Sequence, residues 1–145
     1  MNPVEVPIVQ VSLFDTEDAD QHYRLGQAIS ALREQNIQVV CSGMAVHNLR
    51  DLFSARSSMG PLPYALSFDE ALKEASEADP KERQQKLAEL LTRPDARKAH
   101  PSFEHLLPIH VAAGAAGNDK GRQIWTMPEG SMSWAMYRFG DLPSA

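Results

Sequence analysis

The chain has 145 residues, 43% hydrophobic and 23% charged, which suits one domain with a real core and argues against disorder. A formal net charge of -5 supplies no clustered basic face for phosphate backbones, so nucleic acid is not an expected partner. No apolar run approaches the roughly 18 residues of a membrane helix, and the one cysteine, Cys41, allows no internal disulfide. A cytoplasmic, reducing location with no membrane partner is the expectation.

Pro7 to Leu13 (PIVQVSL) alternates apolar and polar residues and is rich in Val and Ile, which predicts a strand. Asp15 to Asp20 forms an acidic cap region before a helix over His22 to Gln35. Asn36 is its expected C-cap, and Ile37 to Cys41 is a second strand. Strand, helix, strand in this order predicts a right-handed βαβ crossover with a parallel pair.

Ser57 to Pro63 (SSMGPLP) is expected to be loop. Ser67-Phe68-Asp69-Glu70 has the composition of a capped helix start, running to about Ala78. Asp79-Pro80 opens another helix to about Thr92, with Leu87, Leu90 and Leu91 on its core face and a charged, solvated remainder. Arg93 to Ala99 is a polar linker. His100 to Gly117 (HPSFEHLLPIHVAAGAAG) is expected to form one helix, kinked at Pro108 and stopped by glycine. Gln123 to Met127 and Met132 to Phe139 are two final strands around a PEGS turn. The fold class is therefore α/β, a mixed and mostly parallel sheet flanked by helices, with no internal domain boundary.

Five histidines are the candidate chemical groups: His22, His47, His100, His105 and His110. His22, in the first turn of a polar-faced helix, is expected to be exposed or to pack between helices. His110 sits between Ile109 and Val111 beside Pro108, as a core histidine does. On one continuous helix His100 and His105 would lie about 140° apart, so they cannot share a face as the paired histidines of a zinc helix do. Spacing alone makes His105 structural rather than a ligand, although a position near a helix N-terminus would let it face a cleft.

His47 follows a strand end by a few residues, where open α/β sheets bind ligands. Ser42-Gly43 before it lets another group approach the backbone closely. Position leaves two readings open, a surface turn residue or an acid/base group. Cys41 beside it is either a strand-end residue, the favoured reading, or a nucleophile. There is no Gly-rich phosphate loop, nucleophile elbow or CxxC motif.

Four stretches together resemble the class III extradiol ring-cleavage dioxygenases of the subunit-B type, closest to the DOPA 4,5-dioxygenase-like branch. They are VPIVQVSL (Val6 to Leu13), HYRLGQAISALREQNIQVVCSGMAVHNLR (His22 to Arg50), HPSFEHLLPIHVAAGAAG (His100 to Gly117) and GSMSWAMYRFG (Gly130 to Gly140). The likeness spans nearly the whole chain and is weakest over Phe53 to Lys98. It implies an oxidoreductase that opens the ring of a catechol, such as DOPA, with O2, and one divalent metal, Fe(II) or Zn(II), that chelates the diol. It also implies roles. His47, in VHNLR, matches the acid/base that takes up and returns the catechol proton, and His105, in FEHLLP, matches a metal ligand. His100, in the same motif, stands behind the ligands rather than among them. No substrate-binding residue is assigned.

The family's other ligands lie on histidine motifs of an N-terminal half, such as a GHG turn, that this sequence does not contain. The expectation is that residues 1–145 are the C-terminal portion of a larger α/β catalytic domain. A missing N-terminal half or a homo-oligomer would be its partner, besides the catechol and O2. Two other readings are one of two polypeptides sharing a site, and an inactive α/β remnant acting as an interaction or regulatory module.

Overall fold

The computed structural model describes residues 6–55 and 60–141. In chain order it contains α1 (Ala19–Ile29), a 3-10 helix (Ser30–Gln35), β1 (Val46–His47), α2 (Leu52–Ala55), α3 (Pro63–Glu77), α4 (Pro80–Leu90), α5 (Ala96–Ala99) and α6 (Leu107–Ala115). Four strands close it: β2 (Gly121–Trp125), β3 (Pro128–Glu129), β4 (Met132–Ser133) and β5 (Met136–Phe139).

The helices form where their caps and apolar periods agree. Asp18 caps α1 by accepting the Gln21 amide at 2.8 Å. Asn36 ends the 3-10 turn in the left-handed region, φ 59°, as its C-cap role requires. Asp79 caps α4 and Pro80 occupies its first turn. The helix expected from Ser67 begins earlier, at Pro63, because proline's fixed φ suits a first helical position, and Ser67 instead bonds Asp95. Ser57–Met59 of the expected loop fall outside the described residues.

The helix expected over His100 to Gly117 is also shorter. Pro108 lies in the first turn of α6, so it starts the helix rather than kinking it. Residues 100–106 are a string of turns, with the Leu106 and Leu107 amides both donating to Phe103 O. Within the supposed linker, Ala96–Ala99 form a helical turn.

The sheet departs most from expectation. The described strands pair antiparallel, β1-β4-β3 in one sheet and β2-β5 in the other, so the mostly parallel sheet is not formed. Pro7 to Leu13 and Ile37 to Cys41 carry no ladder. Parallel strands need cover on both faces, and here Ile8 is 89%, Val9 85% and Val40 78% exposed. Of the ladders that do form, only β3–β4 is a local hairpin; β1 reaches β4 from far along the chain, and β2 pairs β5 around that hairpin. Gly130, φ 54°, makes the tight β3–β4 reversal that an L side chain resists.

The core lies between α3, α4, α6 and the turns before α6, around Phe68, Leu72, Leu87, Phe103, Leu106 and Leu107. Helix α6 is apolar except for His110 and crosses α1 backbone to backbone. A Cβ on Gly26 would stand 2.0 Å from Val111 O, and one on Gly114 2.0 Å from Tyr23 O. Arg83, fully buried on α4, caps the far end of α6. Its guanidinium donates to Gly117 O at 2.7 Å, Asp119 O at 2.6 Å and Ala113 O at 3.3 Å, a cation placed on the negative end of a helix. His110 is core, as expected, with its Nε2–H donating to Leu87 O at 3.1 Å. Burial pushes its imidazole down to about 4. Among the described residues no helix is long and apolar enough to cross a membrane.

Two outcomes follow. Gly26→Ala should cost about 3 kcal/mol, since backbone must move to admit the methyl, read as a lower urea midpoint. Because the folded-state value of His110 lies below the ordinary 6.5, its contribution is complete above pH 6.5 and is lost as pH falls toward 4. Urea melts between pH 7 and pH 4 should show a loss of about 3 kcal/mol from this group, and His110→Gln, which keeps a donor for Leu87 O, should flatten that slope.

Candidate active site

The site is built where the segment entering β1 meets the turns entering α6. Gly43 packs directly on the chain at His105: a Cβ there would lie 2.3 Å from His105 O and 3.2 Å from Pro108 Cγ. The adjacent Met44 amide donates to His105 O at 2.9 Å. The close approach expected at Ser42-Gly43 is therefore made by the His105 main chain. Four residues on, β1 turns His47 toward the same place, and the His47 and His105 rings stack with centroids 3.9 Å apart and 23° between planes. The two histidines, 58 positions apart in sequence, form one pair.

His47 is partly buried, and desolvation pushes its imidazole below the ordinary value, with His105 adding in the same direction and Glu104 opposing. At neutral pH His47 is thus an uncharged base. His105 is more open, its side chain 41% exposed, with Glu104 Oε1 at 4.0 Å from its Nε2. A hydrogen bond from Ser102 holds the Glu104 carboxyl below its usual range, and the two imidazoles add to that.

His100 lies behind the pair, fully buried. Its Nε2–H donates to Ala45 O at 2.9 Å, and its ring meets Phe68 edge-on at 5.3 Å between centroids. Burial brings it down to about 4. With Nε2 spent on the backbone entering β1, this histidine supports the strand. Both His100 and His105 precede α6, so the 140° separation on one helix does not arise. His22 is buried, packed against Phe14. Its Nδ1–H donates to Asp18 O at 2.7 Å and its Nε2 accepts the Phe14 amide at 3.3 Å, which occupies both nitrogens. Burial raises the Cys41 thiol, away from the thiolate a nucleophile needs.

Sequence reasoning passed over three polar residues around His47. Asn48 is 4% exposed, and its amide nitrogen donates to Lys98 O at 2.7 Å and Tyr64 Oη at 3.2 Å. Ser131 Oγ donates to Asn48 O at 2.7 Å. Tyr64 donates to Asp51 at 3.1 Å and, chiefly through desolvation, is pushed up to about 12. The available signal was the Asn after the histidine in VHNLR, a polar side chain following a buried-looking strand.

A trough of about 1060 Å3 runs from His105 along residues 36–45, α6 and β5, with Pro108, Ile109, Tyr137 and Phe139 in its walls. His105 stands on its edge; His47 is not among its walls. A divalent metal with open positions for substrate needs about three protein donors. His105 can be one, but among the described residues no three His, Cys, Asp or Glu side chains converge. The residues fit part of such a site, not the whole of it.

A mixed α/β scaffold that sets a neutral imidazole against a second, ligand-capable one brings a base and one metal donor to a single place. Comparison with known proteins gives the chain its family. Residues 1–137 match the model for the catalytic LigB subunit of aromatic ring-opening dioxygenase, and the chain belongs to this family. It is 34% identical over 137 residues to 4,5-DOPA dioxygenase extradiol of Beta vulgaris, covering 93% of this chain and 50% of that protein. Its likeness to the Escherichia coli K12 protein of the same name is 32% over 111 residues, covering 77% and 41%. A crystal structure of an uncharacterized Escherichia coli K12 protein superposes with a TM-score of 0.71 at 29% identity, covering 86% of this chain and 51% of that one. The chain thus spans about half the length, or less, of these relatives.

Gly43→Ala should push His105 off the Met44 amide and part the two imidazoles. The measurement is the proton NMR of the histidine rings, where the mutual ring-current displacement of His47 and His105 is expected to disappear while the His22 and His110 signals stay in place.

Proposed function

We propose that this chain contributes part of the active site of an extradiol dioxygenase that opens the ring of a catechol, DOPA or a related diol, with O2. The single observation carrying this reading is the His47–His105 stack, which brings together the two histidines read here as acid/base and metal ligand. His47, uncharged at neutral pH, takes a proton from a catechol hydroxyl and later returns it. His105 is one metal donor, and His100 keeps the strand under His47 in place through Ala45 O. A divalent metal, Fe(II) or Zn(II), bound with further donors from outside the described residues would supply chelation of the diol and activation of O2.

The same reading makes residues 1–145 the C-terminal portion of a larger catalytic domain acting in the cytoplasm. Support comes from the span of the match, about half of each relative. It comes also from the exposed Val and Ile of the two unladdered segments, which form surface that another strand would cover. The cover is the remaining half of the domain or, failing that, a second copy.

The test measures metal content and catechol-dependent O2 uptake for the chain alone and mixed with the other half of a relative's domain. Activity is expected only in the mixture. There His105→Ala should lower bound metal, and His47→Ala should keep the metal and lose turnover by on the order of 100-fold or more. No uptake in any mixture, with the stack intact, would favour a non-catalytic interaction module.

A further inference from the structure

We infer that Asn48 is a positioning residue, the group that holds His47 in its stack on His105. The inference rests on the acid/base reading of His47 for its functional meaning, but the geometry stands by itself. Strand β1 is only two residues long, with Val46 opposite Ser133 and His47 opposite Met132. So short a ladder fixes few dihedral angles, and the direction of the His47 ring has to be set by what grips the chain on either side.

Those grips are Ala45 and Asn48. At Ala45 the carbonyl accepts from His100 Nε2 at 2.9 Å. At Asn48 the whole residue is engaged. Its Nδ2 gives one hydrogen to Lys98 O at 2.7 Å and one to Tyr64 Oη at 3.2 Å. Its Oδ1 accepts the Arg50 amide at 3.0 Å and the Asp51 amide at 3.3 Å. The main-chain N–H and C=O bond Ser131, at 3.4 Å to its carbonyl oxygen and 2.7 Å from its hydroxyl.

Two donors and two acceptors are all that an amide side chain offers, and all four are used. Lys98 and His100 belong to the same stretch, so one short segment grips the chain on both sides of Val46–His47. An Asp here would have no hydrogens for Lys98 O and Tyr64, and a Ser would not reach all four partners.

The experiment uses the full chain with labelled histidine and compares ring resonances at one fixed pH for wild type, Asn48→Ala and Tyr64→Phe, with thermal melts alongside. Asn48→Ala is expected to abolish most of the mutual ring-current displacement of His47 and His105 while the His22 and His110 signals hold. Tyr64→Phe, which removes one of the four contacts, should give a smaller change in the same direction. Where Asn48→Ala does not stay folded, Asn48→Ser is read in its place, since it keeps a polar group without adding charge and cannot reach all four partners. A folded Asn48 variant whose His47 resonances are unchanged overturns the inference. In the reconstituted mixture the same variant should lower kcat on the order of 10- to 100-fold with KM nearly unchanged. Wild-type mixtures without turnover would count against the dioxygenase reading alone, because the NMR comparison decides the positioning role independently.

Discussion

The contact on which the rest depends is the crossing of α1 and α6 at Gly26 and Gly114. Two helices can bring carbonyl oxygens within 2.0 Å of where a methyl would stand only if neither has one. That closeness lets α6, a mainly apolar helix, be packed between α1 and α4, leaving Ile109 and Ala112 toward the trough. Arg83 then neutralises the carbonyls at its C-terminal end. With α6 fixed in direction, the turns feeding its first residue are fixed too, and His105 stands directly before Leu106–Leu107, which enter the core.

The chemistry is assembled on that support by main-chain contacts rather than by long side chains. Glycine at 43 brings the chain onto the His105 carbonyl, and the Met44 amide closes the contact. The strand that carries His47 is then gripped from both sides. A bidentate Arg97–Glu17 pair, with Glu17 also accepting the Phe103 amide, ties the turns before His105 to the segment entering α1. The neutrality of His47 is a by-product of this packing, since desolvation is its first cause and a second imidazole its next.

What was legible in the sequence divides along the range of the forces involved. Asn36 and Asp79-Pro80 mark helix ends because capping is settled within a few residues, and these boundaries agree with the structure. The strands at Pro7 to Leu13 and Ile37 to Cys41 were legible as patterns only, because a strand needs a partner that local residues do not supply. Pro108 reads as a kink because the same ring that breaks a helix interior also begins a helix, and only the tertiary fold decides that it lies in the first turn of α6. For the site, the closeness allowed by Ser42-Gly43 was readable, but not what would fill it. Spacing on a presumed helix argued against His105, and only resemblance to a family joined it to His47. Asn48 was readable only as a polar residue after a buried-looking strand and not as a clamp, for its four partners come from three separate stretches of chain.

The unladdered segments bear on how this chain meets other molecules. Their backbone groups and β-branched side chains form two open edges, and the capped ends of α1 and the 3-10 helix anchor the near end of each. Side-chain direction in a strand alternates with period two, so a strand arriving one residue out of step would turn its apolar set to the wrong face. Anchoring restricts the edges to few alignments, which favours a matched polypeptide over an arbitrary one. It does not exclude the chain's own copies, which carry the same edges. Protein concentration thereby enters as a variable of the fold, because contact between uncovered edges of separate copies grows with it.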